Sequence, residues 1–468
     1  MASECDSAAR IRTIANDLLA AAGLPQAPAF RLSGPSPRLD SPLPLADIAS
    51  AFQLAVVHAT EVASHEDDGA SQPDVKVVYE ISPAQALAGL EPTHFQRIHR
   101  HRYPQSSHSR ELKSDFYSTA DGRWFLTSGS YPHLRDSTLA LLDCANTPSA
   151  LAAAIRRWPA DALEDAAAAN GLPGAWARTP EAWLACPAGA AIAASPLLHL
   201  RRLRDGAPIR APWDALRVLD LSHVIAGPVV ARHFAFCGAD VLRVSSPAQP
   251  DPLPQILDTG IGKRNAFADL EDPEDLAIVG ALAAEADVVV DSWRPGALAR
   301  FGLDAAGLLA RARRDVVHVS VSAFGPDGPW AARKAFDQVV QAATGIAVLH
   351  ATGGKPRLSP TRLLLDYLTA QLGIVGALGA LYRQRRTGGS WSVHVSLARV
   401  ATYLLGWADP SHRGGDTFDV LQPRMVVRHG PFGMTYHVAP AVRPSSAANG
   451  EVPGPRPLGS SPATWRSA

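Results

Sequence analysis

The sequence predicts an α/β protein in which an open, doubly wound parallel sheet is joined to a smaller α+β domain. Three observations lead there. From about residue 210 to 345 short apolar runs recur, each followed by a helical stretch, the mark of a parallel sheet covered on both faces. The residues before about 205 lack that recurrence and carry a hairpin and alanine-rich helices instead. And one unit is written twice, from Asp40 and from Leu358: Ser-Pro, an apolar stretch with a single aspartate, a helix, a Gly- and Ser-containing turn, then an alternating strand.

In chain order, the N-terminal "MASECDSAARIRTIAND" mixes acids and bases without an apolar core, so no signal peptide is expected. The first copy of the unit follows, with Asp47 at the mouth of its helix. "HFQRIHRHRYPQSSHSR" has irregular histidine spacing interleaved with arginine, which suits a solvated loop better than a metal site. "FYSTADGRWFLTSG" is a hairpin with an Ala-Asp-Gly turn. "RDGAPIRAP" then links the halves. Beyond it, "LRVLDLS", "DVLRVSS", "ADVVVDSW" and "DVVHVSVSAFG" are strands, with "AGPVVARHFAFCGA" and "DAAGLLARARR" as helices between them. Ligands of such sheets sit at the carboxyl ends of the strands. The second copy of the unit carries Asp366, and the Pro-, Gly- and Ser-rich chain after Pro410 is expected to be extended or wrapped over the surface. The expected divisions are 1–207, 208–406 and 407–468.

Composition narrows the function classes. The 468 residues are 47% hydrophobic and 19% charged, with 44 basic against 44 acidic side chains. That balance leaves no electrostatic footprint for nucleic acid or an anionic membrane. The four cysteines (Cys5, Cys144, Cys186, Cys237) are scattered, so reduced thiols and no metal site are expected. No apolar run approaches the roughly 20 residues of a membrane span. A cytoplasmic protein without nucleic-acid or membrane partners is the expectation.

Common ligand motifs are missing. The turn after the first strand of the sheet, "HVIAGPVV", lacks the GxGxxG spacing of a dinucleotide site, and neither a GxSxG elbow nor a P-loop occurs. By residue type alone, Asp47 and Asp366 each suit a helix N-cap.

Five segments in order then carry a resemblance: "VLDLSHVIAGPVVARHFAFCGADVLRV", "GKRNAFADLEDPED", "ADVVVDSWRPGALARFGLD", "VVHVSVSAFGPDGPWAARKAFDQVVQAATG" and "LLLDYLTAQLGIVGALGALYRQRRTGG". Together they resemble the class III CoA-transferase family, which includes formyl-CoA transferase, carnitine CoA-transferase and α-methylacyl-CoA racemase. The resemblance covers residues 216 to 406. The front half is similar to the later portion of a second family copy, so the chain resembles a long, rearranged member with a degenerate half placed first.

The resemblance implies an interlocked architecture and a CoA-transferase with Asp366 as nucleophile. A carboxylate there attacks a thioester to give a mixed anhydride, then an aspartyl-CoA thioester, and the incoming acid reverses both steps. The helix start favours the ionised carboxylate, and backbone N–H groups nearby suit the oxyanions. Carried over by position, the CoA site comprises Ile225, Ala226, Ser292, Trp293, Arg294, Arg300, Lys334 and Phe336, with the cations facing the CoA phosphates. Lys263 and Arg264 match the family but suit a role in the fold.

Departures qualify this. Ser245 and Ser246 stand where the family carries charge, a glycine run that closes over the site in formyl-CoA transferase is missing, and Phe336 replaces the racemase histidine, so two-base racemisation lacks a partner. The implied reading is CoA transfer between an acyl-CoA and a free carboxylic acid, by a homodimer, with CoA as substrate and no permanently bound cofactor. The alternatives are a decayed CoA-binding scaffold of the same family and, less favoured, an acyl-CoA isomerase. Asp47, with no CoA sheet before it, is expected to be a packing residue and helix cap.

Overall fold

A computed structural model describes residues 2–64, 78–102, 115–129, 131–209, 211–443 and 452–466. The elements that build the site are helices α1 (Ala2–Ala21), α2 (Leu45–Ser64), α3 (Pro132–Leu142), α4 (Ala226–Phe236), α5 (Pro273–Ala284), α6 (Ala305–Arg311), α7 (Asp337–Thr344), α8 (Leu364–Thr387) and α9 (Leu397–Leu405). The central strands are β1 (His199–Arg204), β2 (Arg217–Asp220), β3 (Asp240–Ser245), β4 (Arg264–Phe267), β5 (Val288–Asp291), β6 (Val317–Ser322) and β7 (Ser390–Ser396).

These seven strands form one sheet in the order β4-β3-β2-β5-β6-β7-β1, parallel throughout except for β1, which runs antiparallel to β7. Strand order reverses at β2: the chain moves outward to β3 and β4, then returns to β5 on the other side. An open α/β sheet binds its ligand at such a switch point. Buried valines at 218, 241, 288, 290, 317, 319, 321, 393 and 395 line one face of the sheet, and α4 and α8 cover it. Leu219, Leu242, Val244, Ala266 and Val289 line the other face toward α5 and α6.

The expected strands and helices between 210 and 345 are present. β6, however, is not apolar on both faces. His318, Ser320 and Ser322 alternate with its valines, and His394 continues this polar row on β7. β4 and β1 were not expected. β1 comes from the front half, so the division at 207/208 falls between two strands of one sheet. The front half also has small sheets of its own: 30–32 with 79–81, and 116–118 with 124–127 and 174–176. The expected hairpin is the 116–118/124–127 pair. Of the histidine-rich stretch, 97–98 and 101–102 form a small exposed hairpin, and the part from 103 to 114 lies outside the described residues. The C-terminal chain is not wholly extended, because Met425–Gly430 and Gly433–Val438 form a hairpin. Residues 452–466 then run along β4, where Ser461 N–H donates to Asn265 O.

The repeated unit is real in three dimensions. α2 and α8 each begin with two apolar residues and then the aspartate, and each is followed by a strand and a helix capped by serine, Ser82 or Ser396. The two helices pack against each other. α8 is long and apolar enough to cross a membrane by composition, contrary to the expected lack of such a run, yet that stretch is wholly buried inside the protein. A helix apolar all round belongs in a core. Its Gly379 lets the end of α1 approach, since a Cβ there would sit 2.7 Å from Ala22 O.

Gly227 plays the same role at the start of α4, where an added Cβ would overlap Ser222 and press on Ser292. Gly227→Val should therefore lower stability by about 2 kcal/mol and displace residues 222–226. Thermal unfolding and CoA calorimetry on the variant would show both effects, and a variant with the parent's melting temperature would contradict this packing.

Candidate functional site

The loop between β2 and α4 sits at the switch point and is held from three sides. His223 N–H donates to Ser292 Oγ at 3.0 Å, and Ser292 Oγ returns a bond to His223 O at 3.1 Å. The Trp293 indole stacks on His223, with ring centres 4.5 Å apart, and its Nε1 donates to Leu221 O at 2.8 Å. Asp251 accepts from Val224 N–H at 3.1 Å. Val224 has φ +67°, a left-handed conformation that costs a β-branched residue about 1–3 kcal/mol and persists where surrounding contacts enforce it. Ile225 and Ala226 then open α4, whose start has no side-chain cap. Four of the expected CoA residues, Ile225, Ala226, Ser292 and Trp293, are thus neighbours. Burial lowers the pKa of His223, so its ring is neutral.

Arg294 and Lys334 form a second group. The Lys334 ammonium pKa is lowered by partial burial and by Arg294 beside it. Neither side chain has an ion-pair partner among the described residues. Arg300 is placed differently from expectation. It pairs with Glu271 and lies over Phe301 with its side chain 65% exposed, because the short helical turn 299–301 points it outward. Lys263 is fully buried and donates to Asp220 and to Pro228 O, both at 2.6 Å, and Arg264 pairs with Asp240. Both serve the fold.

Phe336 precedes α7 and stacks on Tyr131 of the front half. The next residue, Asp337, is fully buried. Its Oδ2 accepts from the N–H of Leu365 at 2.6 Å and of Asp366 at 2.9 Å, and its Oδ1 accepts from Gln341. Asp337 therefore caps α8 from another helix and satisfies two of the donors that every helix start leaves free. Asp366 is buried, and its own carboxyl has no hydrogen-bond partner among the described residues. Burial and the neighbouring Asp337 hold the Asp366 carboxyl well above the usual carboxylate range. Burial likewise pushes Asp337 up to about 7, and Glu91, whose Oε2 accepts from Arg362 N–H, up to about 7. Sequence reasoning missed Asp337 and Glu91. The "AFD" segment held the signal for Asp337, but attention there fell on Phe336.

Asp47 has the opposite surroundings. Ser7 and Ser36 donate to Oδ1 and Arg10 pairs with Oδ2, while Arg10 also holds Asp6 at 2.8 Å. It fastens α1 and Ser36 to α2, and contrary to the expected cap its carboxyl accepts no helix N–H among the described residues. A cleft of about 260 Å³ opens beside it, lined by Ser7, Arg10, Ser36, Leu45 and His412 among others. A second, of about 190 Å³, lies by Trp293 and Arg294 against His318 and His394. The larger cleft thus sits at the carboxylate whose lone pairs are already used.

Among known proteins, the family model for CoA-transferase family III matches residues 214–428. The "Acetyl-coenzyme A transferase nodX" of Hypoxylon pulicicidum is 37% identical over 40% of this chain and 32% of its own length. The "Acyl-CoA transferase" of Gibberella moniliformis is 31% identical over 60% of this chain and 54% of its own. The "Probable CoA-transferase Rv1866" of Mycobacterium tuberculosis is 33% identical over 44% of this chain and 29% of its own. The chain thus spans about a third to a half of the curated relatives it matches.

Asp47→Asn keeps the shape but removes the charge that Arg10 faces. With these side chains 5% and 16% exposed, the expected loss is about 2 kcal/mol, more than a simple cap would lose. Chemical denaturation measures it, and a change below about 0.5 kcal/mol would show that the Arg10 pair contributes little to stability.

Proposed function

We propose that the protein, whose residues 214–428 match the model of CoA-transferase family III, moves CoA from an acyl-CoA thioester to a free carboxylic acid, with Asp366 as nucleophile. The observation that carries this reading is the contrast between the two equivalent aspartates. At the same position in the same unit, Asp47 is held by three donors and Asp366 by none among the described residues.

An Asp366 oxygen attacks the thioester carbonyl carbon, and the C–S bond breaks to release CoA thiolate and leave a mixed anhydride. The thiolate attacks the aspartyl carbonyl carbon, and the donor acid departs as its carboxylate, which leaves an aspartyl-CoA thioester. The acceptor carboxylate attacks that carbonyl and expels the thiolate. The thiolate then attacks the acceptor's acyl carbon, and Asp366 is restored. Each step exchanges one bond for another without a net proton. Asp337 occupies the N–H groups of Leu365 and Asp366, so α8 acts on developing negative charge through its dipole, against the burial and the Asp337 charge that disfavour ionised Asp366. Asp337 keeps the backbone there in place, and its charge makes Asp366 more basic, hence a better nucleophile once ionised.

CoA itself is proposed to lie across the loop after β2 and the 292–294 turn, with its phosphates toward Arg294, Lys334 and the uncapped start of α4. Arg300 is a rim contact in this reading and would have to leave Glu271 to take part. Phe336 gives the site no second acid/base group, so racemisation is not favoured. A homodimer is proposed by analogy with the linked family architecture.

Two experiments test the reading. Asp366→Asn should bind CoA yet lose turnover by several orders of magnitude, and hydroxylamine should trap an aspartyl adduct in the parent only. Full turnover in the variant would eliminate the mechanism. For pH, a raised folded pKa keeps Asp366 protonated above the usual carboxylate range, so kcat/KM should rise with pH as the nucleophile ionises. The groups facing it are Asp337, Tyr131 and Tyr367, with Glu91 beyond Asp337. Asp337→Asn removes the adjacent charge and should move that limb to lower pH. A profile flat from pH 5 to 8 in the parent would contradict the coupling.

A further inference from the structure

We infer that Tyr131, contributed by the front half of the chain, is a positioning residue of the Asp366 site: through Asp251 and Phe336 it sets the loop after β2 and the start of α7 relative to each other. The inference rests on the CoA-transferase reading for its functional consequence, although the coupling itself stands on geometry alone.

Tyr131 has two handles, and each holds a different part of the site. Its phenol donates to Asp251 Oδ1 at 2.9 Å. Asp251 Oδ2 accepts from Val224 N–H at 3.1 Å and from Arg243 Nη2. Three segments that are far apart in sequence therefore meet on one buried carboxylate: the start of α3, the strained loop after β2, and β3. Arg243 is 1% exposed, and its Nε and Nη1 have no partner among the described residues, so Asp251 is its counter-ion. Asp251 cannot follow Val224 elsewhere without stranding that charge. It is a fixed post, and Tyr131 and Val224 are both tied to it.

The other handle is the ring. It stacks on Phe336, with centres 5.8 Å apart and planes within 25°. Phe336 immediately precedes Asp337, whose carboxyl receives the first N–H groups of α8. A continuous chain of contacts thus runs from the loop that would hold CoA, through Asp251 and Tyr131, to the helix start that carries Asp366. Burial, followed by Asp251, raises the Tyr131 phenol far above its ordinary value, and Asp366 adds to the rise. The phenol remains a donor at any working pH. The front half is then more than a decayed remnant, because it fixes the distance between ligand loop and nucleophile.

Two variants separate the handles. Tyr131→Phe removes the hydroxyl and keeps the stack; Tyr131→Ala removes both. The readouts are CoA affinity by calorimetry, transfer kinetics, and amide exchange of residues 222–226 in the full-length protein. Tyr131→Phe should weaken CoA binding about tenfold, the size of one net hydrogen bond. It should speed exchange at 222–226 and leave kcat within about threefold. Tyr131→Ala should show the same loss and a kcat lower by about tenfold or more, because Phe336 is released. A merely structural tyrosine would lower the melting temperature of both variants while affinity and loop exchange stayed at parental values, and that result overturns the inference. Should the alanine variant not fold, Tyr131→Phe alone decides. Should the parent neither bind nor transfer CoA, the transferase reading fails separately. Exchange at 222–226 then decides the coupling: faster in Tyr131→Phe supports it, unchanged refutes it.

Discussion

The backbone nitrogens of Leu365 and Asp366 give their hydrogens to a carboxylate on another helix. An aspartate at a helix start ordinarily spends its own oxygens on such donors. Because Asp337 has taken two of them, the Asp366 side chain is left over, buried and unheld. The same contact places a second negative group beside it, which disfavours its ionised form. Two buried carboxyls at one helix start are costly. The Gln341 amide and the dipoles of α8 offset part of that cost, and what remains is stored as basicity on Asp366. One capping interaction thus sets both the start of α8 and the surroundings of Asp366.

That interaction needs α7 and α8 in fixed relation, and both halves of the chain supply the frame. α8 is enclosed by α1 and α2 on one side and by α4 and the sheet on the other. β1 extends the sheet beyond β7, so residues before the linker complete an element that the later residues begin. Glu91 receives Arg362 N–H just before α8, and Tyr131 leans on Phe336. The core is continuous across the expected 207/208 division, so the halves are distinct along the chain without being separate in packing.

What the sequence disclosed follows the range of the forces involved. β2, β3, β5 and the helices between them were legible because burial imposes its period on neighbouring residues. β1 was not, since "HLRRLR" is an edge strand whose arginines face solvent, and an edge needs no apolar pattern. β4, "RNAF", is too short and too polar to stand out, and its pairing with β3 defines it. The repeated unit was legible down to its aspartates. The environments of those aspartates were not. Asp337 reaches α8 across 29 positions, Tyr131 reaches Asp251 across 120, and Ser7 reaches Asp47 across 40. No local pattern encodes such contacts. Arg300 shows the converse limit, because a matching motif located the residue and Glu271 determined where its charge went.

The contrast between the copies also weighs on whether this chain has decayed into a scaffold. Loss of function by drift leaves a reactive group either deleted or neutralised by whatever packs onto it. Asp47 fits the second outcome: Arg10 pairs with it, Ser7 and Ser36 donate to it, and a carboxylate so held is a poor nucleophile. Nothing comparable has happened to Asp366. Keeping a buried carboxyl without a partner is unfavourable for stability, and a chain selected only for folding would fill the vacancy as the first copy has done. The changes at Ser245 and Ser246 lie elsewhere. Ser246 is engaged with Ala248 N–H, and the buried Ser245 hydroxyl has no partner among the described residues, so neither bonds to the Asp366 carboxyl. An unpartnered buried carboxyl that opposes stability suits the proposed acyl exchange better than a scaffold, which supports the proposed enzyme.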